Sequence, residues 1–172
     1  MKWFTKRKQQ QNKTAVTYMA AAALVAMLLS LWIGMQQSVW FDEAYSVLVA
    51  KQAPSEIIHL ASVDTHPPAY YLMLHGWGNL FGWSDFALRS LSVLAFGGSI
   101  VVAGLLVRKL FGNRAAVYTV VLAALAPLLV RYGFEIRMYA VASLIGVLAT
   151  YVMVRAREGG RQSAWLWFAY SV

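Results

Sequence analysis

The sequence predicts an all-α, polytopic membrane protein: about four complete transmembrane helices, the start of a fifth, and short interfacial helices in the first outer loop. Three observations carry that prediction. Hydrophobic residues make up 60% of the 172-residue chain and charged residues only 13%, whereas an ordinary soluble domain is about half apolar and a quarter charged. The mean hydropathy is +0.55. Apolar runs of about twenty residues, the length that crosses a bilayer as a helix, alternate with short clusters of Lys and Arg. The net charge of +8 is gathered in those clusters rather than spread over one face. That pattern suits cytoplasmic loops and argues against a nucleic-acid partner. The chain has no cysteine, which excludes disulfides, zinc–thiolate sites and a cysteine nucleophile.

Residues 1–13, MKWFTKRKQQQNK, read as a basic cytoplasmic tail, and residues 14–35 as the first span. A cleavable signal peptide has a shorter apolar core that ends at a small-x-small site. Here Trp32, Met35, Gln36 and Gln37 follow, so the span is read as uncleaved. The outer loop, about residues 38–84, holds three short helices. From Glu43, the apolar Tyr45, Leu48 and Val49 share a face. Pro54 suits the first turn of a second helix continuing through Ile57, Ile58 and Ala61. Pro68 opens a third, in which Tyr70, Leu74, Trp77 and Phe81 recur at helical spacing. None is long enough to span, and each has the one-sided aromatic character of an interfacial helix.

Ser84 caps the second span, and Asp85 in its first turn complements the helix dipole. That span runs through Val107 to Arg108 and Lys109. Ala95, Ser99 and Ala103 recur every fourth residue, a spacing that lets a neighbouring helix approach closely. The third span covers residues 115–130, with Pro127 near its far end. A polar knot, RYGFEIRMY, occupies residues 131–139. The fourth span reaches Val154 and is closed by Arg155, Arg157 and Arg161. Residues 164–172 begin a fifth apolar run. Residues 14–172 thus read as one membrane module.

Placing the N-terminus in the cytoplasm puts eleven of the fifteen Lys and Arg residues there, as the positive-inside rule requires. Every acidic residue except Glu158 then lies outside, with all three histidines. The chemistry is therefore expected on the extracytoplasmic face of the cell membrane.

Residues 41–71 hold four of the seven acidic residues and two of the three histidines. Carboxylates between membrane spans are costly unless paired or functional. Asp42 and Glu43, just after the first span, could supply a general base; alternatively, Asp42 merely caps the helix beginning at Glu43. In Asp64-Thr65-His66-Pro67-Pro68 the prolines force extended backbone, so Asp64 and His66 face one side. Such oxygen and nitrogen donors suit a divalent metal ion or a phosphate-bound ion. The alternative is a stiff turn with a solvated Asp and His. Arg89, one turn into the second span, requires a carboxylate partner and is counted with the substrate-binding candidates. Glu135, Arg137 and Tyr139, at the outer end of the fourth span, lie within reach of the same site as substrate-binding groups. Snorkelling to headgroups is the other reading for Arg131 and Arg137. The phosphate-binding, zinc-protease and serine-hydrolase motifs are all absent.

Taken together, FDEAYS, VDTHPPAYY, LFGWSDFALRSLS and YGFEIRMYA, in this order, resemble the N-terminal portion of a C-superfamily (GT-C) glycosyltransferase. The branch is similar to protein O-mannosyltransferases and lipid A aminoarabinose transferases. The resemblance covers roughly residues 40–139 of a family whose members are much longer. It implies a polyprenyl-phosphate sugar donor, a lipid or protein acceptor, and an inverting transfer. By position, Asp42 matches the catalytic aspartate and Glu43 its neighbour. Asp64 and His66 match the second loop motif, and Arg89 the arginine opening the second span. The competing expectation is a non-catalytic membrane protein, either a transporter fragment or an assembly partner. Intramembrane acid–arginine pairs serve transporters as well, although the sequence shows none of their glycine-interrupted helices.

Overall fold

The computed structural model describes residues 2–63, 66–158 and 164–171. In chain order the helices are α1 (Lys2–Met35), α2 (Phe41–Ala50), α3 (Pro54–Val63), α4 (Pro68–Phe81), α5 (Asp85–Phe111), α6 (Asn113–Leu125), α7 (Pro127–Phe134), α8 (Tyr139–Glu158) and α9 (Ala164–Ser171). Among the described residues there is no strand. Residues Asn12–Met35 of α1, together with α5 and α8, are long and apolar enough to cross a membrane. A fourth span is reached if α6 and α7 are counted as one. The protein is an all-helical, multi-pass membrane protein.

The expected third span is not continuous. Pro127 has no N–H to donate and pushes the residue before it out of the helical region. Ala126 accordingly sits at φ −72° and ψ 112°, and α6 ends there. The two outer-loop helices expected to open on proline do begin at Pro54 and Pro68. Ser84 caps α5, its Oγ accepting the Ala87 N–H at 3.3 Å.

The chain divides into two compact units. One comprises residues 1–26, 97–126 and 143–172. Within it Gly104 admits a close approach: a Cβ there would lie 2.5 Å from Met19 Cε and 2.6 Å from Val120 Cγ2. Gly98 meets Leu144 in a similar but looser contact. Gly98 and Gly104 lie on the same helix as the small residues Ala95, Ser99 and Ala103. The Asn113 amide donates to Asn12 Oδ1 at 2.8 Å, and Arg108 Nε donates to Asn113 Oδ1 at 3.0 Å. Lys109 pairs with Glu158.

The other unit comprises residues 27–96 and 127–142. Here α2 and α3 both pack on α4. Ile57, Tyr71, Leu74, Leu88, Phe134 and Ile136 form its buried core. Gly34 lies against the Phe134 ring and Gly133 against the Phe96 ring. His75 Nδ1 donates to the Ala50 carbonyl at 2.8 Å, while its Nε2 accepts from the Asn79 amide at 2.9 Å. That pairing ties His75 into the packing of α2 against α4.

The inward face of α2 differs from the apolar face read from periodicity. Glu43, Ser46, Val49 and Ala50 turn inward, whereas Leu48 and Phe41 are strongly exposed. The inward face is set by polar partners, and the outward apolar side chains are those that lipid would cover.

Candidate functional site

The candidate site lies within the second unit and is organised by Glu43. A glutamate at the third position of a helix can turn back to the N–H at the cap. Glu43 does so, its Oε2 accepting the Trp40 N–H at 3.3 Å. Oε2 also meets Arg89 Nη2 at 3.3 Å, and Oε1 accepts the Ile136 N–H at 2.9 Å. Both side chains of the pair are 1% exposed. Arg89 further donates to the carbonyls of Gly34 and Gln37 and lies over the Phe134 ring. The carboxylate partner that Arg89 requires is thus Glu43. Both carboxylate oxygens of Glu43 are thus engaged by groups of the fold.

Asp42 precedes Glu43 by about 100° around the same helix and has the opposite character. Its side chain is 38% exposed, and its Oδ2 lies 3.9 Å from Arg137 Nη2. The helix begins at Phe41 with Trp40 as its cap residue, so Asp42 sits in the first turn and does not cap it. Arg137 is 6% exposed in its side chain. Its Nη1 reaches the Asp42 carbonyl and Ser46 Oγ, each at 3.5 Å. Its Nη2 faces His66 Nε2 at 3.3 Å, a contact that requires the neutral histidine with its proton on Nδ1. The guanidinium also lies 5.9 Å from the Tyr139 ring centroid, and Tyr139 is packed edge-on against Tyr132. The Arg137 Nε is buried without a hydrogen-bond partner among the described residues.

Glu135 is buried beside this group. Its Oε1 lies 3.6 Å from Arg131 Nε, and its Oε2 has no partner among the described residues. Burial pushes the Glu135 carboxyl above the ordinary glutamate range, and the Arg131 charge opposes that shift. The chain bends tightly here, the Arg137 N–H bonding to the Glu135 carbonyl at 2.7 Å. Ser92 Oγ donates to the same carbonyl at 2.6 Å.

Six of the eight expected site residues are brought together: Asp42, Glu43, His66, Arg89, Glu135 and Arg137, with Tyr139 stacked at their edge. Asp64 lies outside the described residues. Three polar residues had no assigned role in the sequence. Ser46 links Arg137 to the Asp42 carbonyl, to which it donates at 3.0 Å. Ser92 holds the Glu135 turn. Tyr70 is buried, which pushes its hydroxyl pKa up, with the nearby Ser92 opposing; among the described residues no group meets hydrogen-bond geometry with its hydroxyl. Ser46 stood within FDEAYS, one helical turn from Asp42, and that spacing was the available signal.

Asp64, the expected partner of His66 in a metal site, lies outside the described residues; His66 Nε2 is 3.3 Å from Arg137 Nη2. The Arg137 guanidinium would repel a second cation there. Among the described residues no three His, Asp or Glu side chains converge on one point.

Neither a search of curated proteins nor a search of solved structures gave a match. A protein-family model described as dolichyl-phosphate-mannose-protein mannosyltransferase matches residues 65–172. The matched segment begins just before His66 and contains Arg89, Glu135, Arg137 and Tyr139; Asp42 and Glu43 precede it. The match covers more than half of the sequence and agrees with the helical, multi-pass architecture. On that ground the chain belongs to the dolichyl-phosphate-mannose-protein mannosyltransferase family, a family of GT-C-type membrane glycosyltransferases.

Proposed function

We propose that this protein contributes to an inverting transfer of a sugar from a polyprenyl-phosphate donor to a hydroxyl of a lipid or protein acceptor, on the extracytoplasmic face of the cell membrane, with Asp42 as the base. One observation carries the reading: of the two adjacent carboxylates, Glu43 is wholly engaged in the fold, while Asp42 is half open and set beside a buried arginine.

A sugar linked through its anomeric carbon to a phosphate already has a good leaving group, so no strong general acid is needed. A base must take the acceptor proton, and positive charge must meet the departing phosphate. In the proposed step the acceptor oxygen loses its proton to the Asp42 carboxylate and bonds to the anomeric carbon. The bond from that carbon to the phosphate oxygen breaks, its electron pair leaves with the polyprenyl phosphate, and the configuration inverts. Arg137, beside Asp42, would supply the positive charge that meets the phosphate. His66 and Ser46 hold that guanidinium in place. Glu43 and Arg89 fix the backbone on which Asp42 and Arg137 stand.

The test compares Asp42→Asn with the parent in membranes, at matched expression, with a polyprenyl-phosphate sugar donor. Asparagine keeps the shape but cannot accept the proton, so transfer should fall about a hundredfold to ten-thousandfold. Transfer within a few-fold of the parent would remove Asp42 from the role. A transport function is the rival, and the break at Ala126–Pro127 is the feature that suits it. Substrate movement that survives Asp42→Asn without any sugar transfer would establish the rival.

A further inference from the structure

The first unit carries a cleft of about 500 Å³ between α1 and α6 that no part of the proposed chemistry uses. From this cleft we infer a binding site for one anionic phospholipid, with the phosphate held near Arg114 and an acyl chain lying between Tyr18 and Tyr118.

The lining changes character along its length. On α1 it is formed by Gln10, Thr14 and Tyr18, and on α6 by Asn113, Arg114 and Tyr118. The α1 residues are four apart and so share one helical face. They run from an amide through a hydroxyl to an aromatic ring over about 12 Å of helix. The α6 wall repeats the order, from Asn113 and Arg114 to Tyr118 one turn later. A cleft polar and cationic at one end and aromatic at the other matches a lipid better than a soluble anion. It also lies where the apolar span Asn12–Met35 begins, the level at which tyrosines settle in a bilayer.

Charge selects an anionic headgroup. The residues of this unit include eleven Lys and Arg but only one acidic residue, Glu158. Glu158 is engaged with Lys109. Arg114 is exposed and has no carboxylate partner among the described residues. Asn113 is fixed by Asn12 and Arg108, so this end of the cleft is pre-organised. Clustered Lys and Arg beside a span attract anionic lipid to the surface; the cleft adds a defined place for one molecule.

The test is a titration of the purified full chain in detergent with short-chain phosphatidylglycerol, phosphatidylcholine and inorganic phosphate, with bound lipid counted by native mass spectrometry. One phosphatidylglycerol should bind saturably, at least tenfold more tightly than phosphatidylcholine, and inorganic phosphate should not displace it. Arg114→Gln should weaken binding about tenfold, as loss of one charge-assisted contact does. Tyr118→Ala should weaken it severalfold. Arg155→Gln, a cation outside the cleft, should leave it unchanged. Both cleft side chains are exposed, so these variants should fold, which a monodisperse elution profile and unchanged helical circular dichroism would check. Equal losses in Arg114→Gln and Arg155→Gln would reduce the effect to diffuse charge and overturn the site. Displacement by inorganic phosphate at the lipid's own affinity would overturn the lipid assignment.

Discussion

Removing Arg89 from beneath α2 should be among the most damaging single changes in this protein. The guanidinium is 1% exposed and donates to the Glu43 carboxylate and to the carbonyls of Gly34 and Gln37. In Arg89→Met the aliphatic volume and the contact with Phe134 are largely retained. Glu43 is left as a buried carboxylate with only the N–H groups of Trp40 and Ile136. Breaking one side of a buried ion pair costs about 3–5 kcal/mol. Glu43→Gln should cost a similar amount, because one amide oxygen cannot serve both N–H groups and Arg89 loses its counter-charge. In the double variant no unpaired charge remains, so its loss should be smaller than the sum of the singles by about 2 kcal/mol, within the range seen for residues in direct contact. The measurement is unfolding by sodium dodecyl sulfate in mixed micelles, followed by helical circular dichroism, for the four members of the cycle. A coupling below about 0.5 kcal/mol would be additivity and would refute the claim that the two charges support each other.

Glu135 gives a pH signature. Its carboxyl is raised by burial, so the folded state holds the proton more tightly than the unfolded chain. The resulting stability is fully present below the ordinary glutamate pKa and is lost as pH rises through the raised value. Unfolding midpoints between pH 4 and pH 8, an interval that brackets the rise from the ordinary value of about 4.3, should flatten in Glu135→Gln; an unchanged profile would refute the assignment. Gly133→Ala should lose about 1–3 kcal/mol by overpacking, because the added Cβ would lie 2.6 Å from the Phe96 ring and 2.9 Å from Ser30 Oγ; a melting temperature equal to the parent's would show that the rings yield freely. Ser55→Cys, in the exposed first turn of α3, should react with an impermeant maleimide in intact cells. Reaction only after permeabilisation would reverse the proposed orientation.

The spans and surface helices were legible because each begins or ends on a residue with a local physical effect: Pro54, Pro68, Ser84 and the basic clusters. The need of Arg89 for a carboxylate was legible from its depth alone. Which carboxylate answers it was not. Asp42 and Glu43 are neighbours in sequence but about 100° apart around α2, and only packing decides which turns inward. The apolar spacing of Tyr45, Leu48 and Val49 marked one face of an interfacial helix without saying what covers it, because periodicity cannot tell a face buried in protein from one facing lipid; Leu48 and Tyr45 are exposed and Val49 is buried. Pro127 was visible, but the conformation it imposes on Ala126 was not weighed against the apolar run around it. Ser46 escaped notice because its role depends on Arg137, 91 residues away.

The bond from Glu43 to the Ile136 N–H also sets an order of events during synthesis. It joins residues 93 apart, and a ribosome adding about 5–20 residues each second needs roughly five to twenty seconds to bridge that distance. Arg89 is made halfway through that interval and can neutralise Glu43 first. The Ile136 N–H arrives last and brings Arg137 with it. Asp42 therefore meets its arginine only after the outer loop and every helix through α7 have been made, and the proposed reactive pair is closed by the turn that leads into α8.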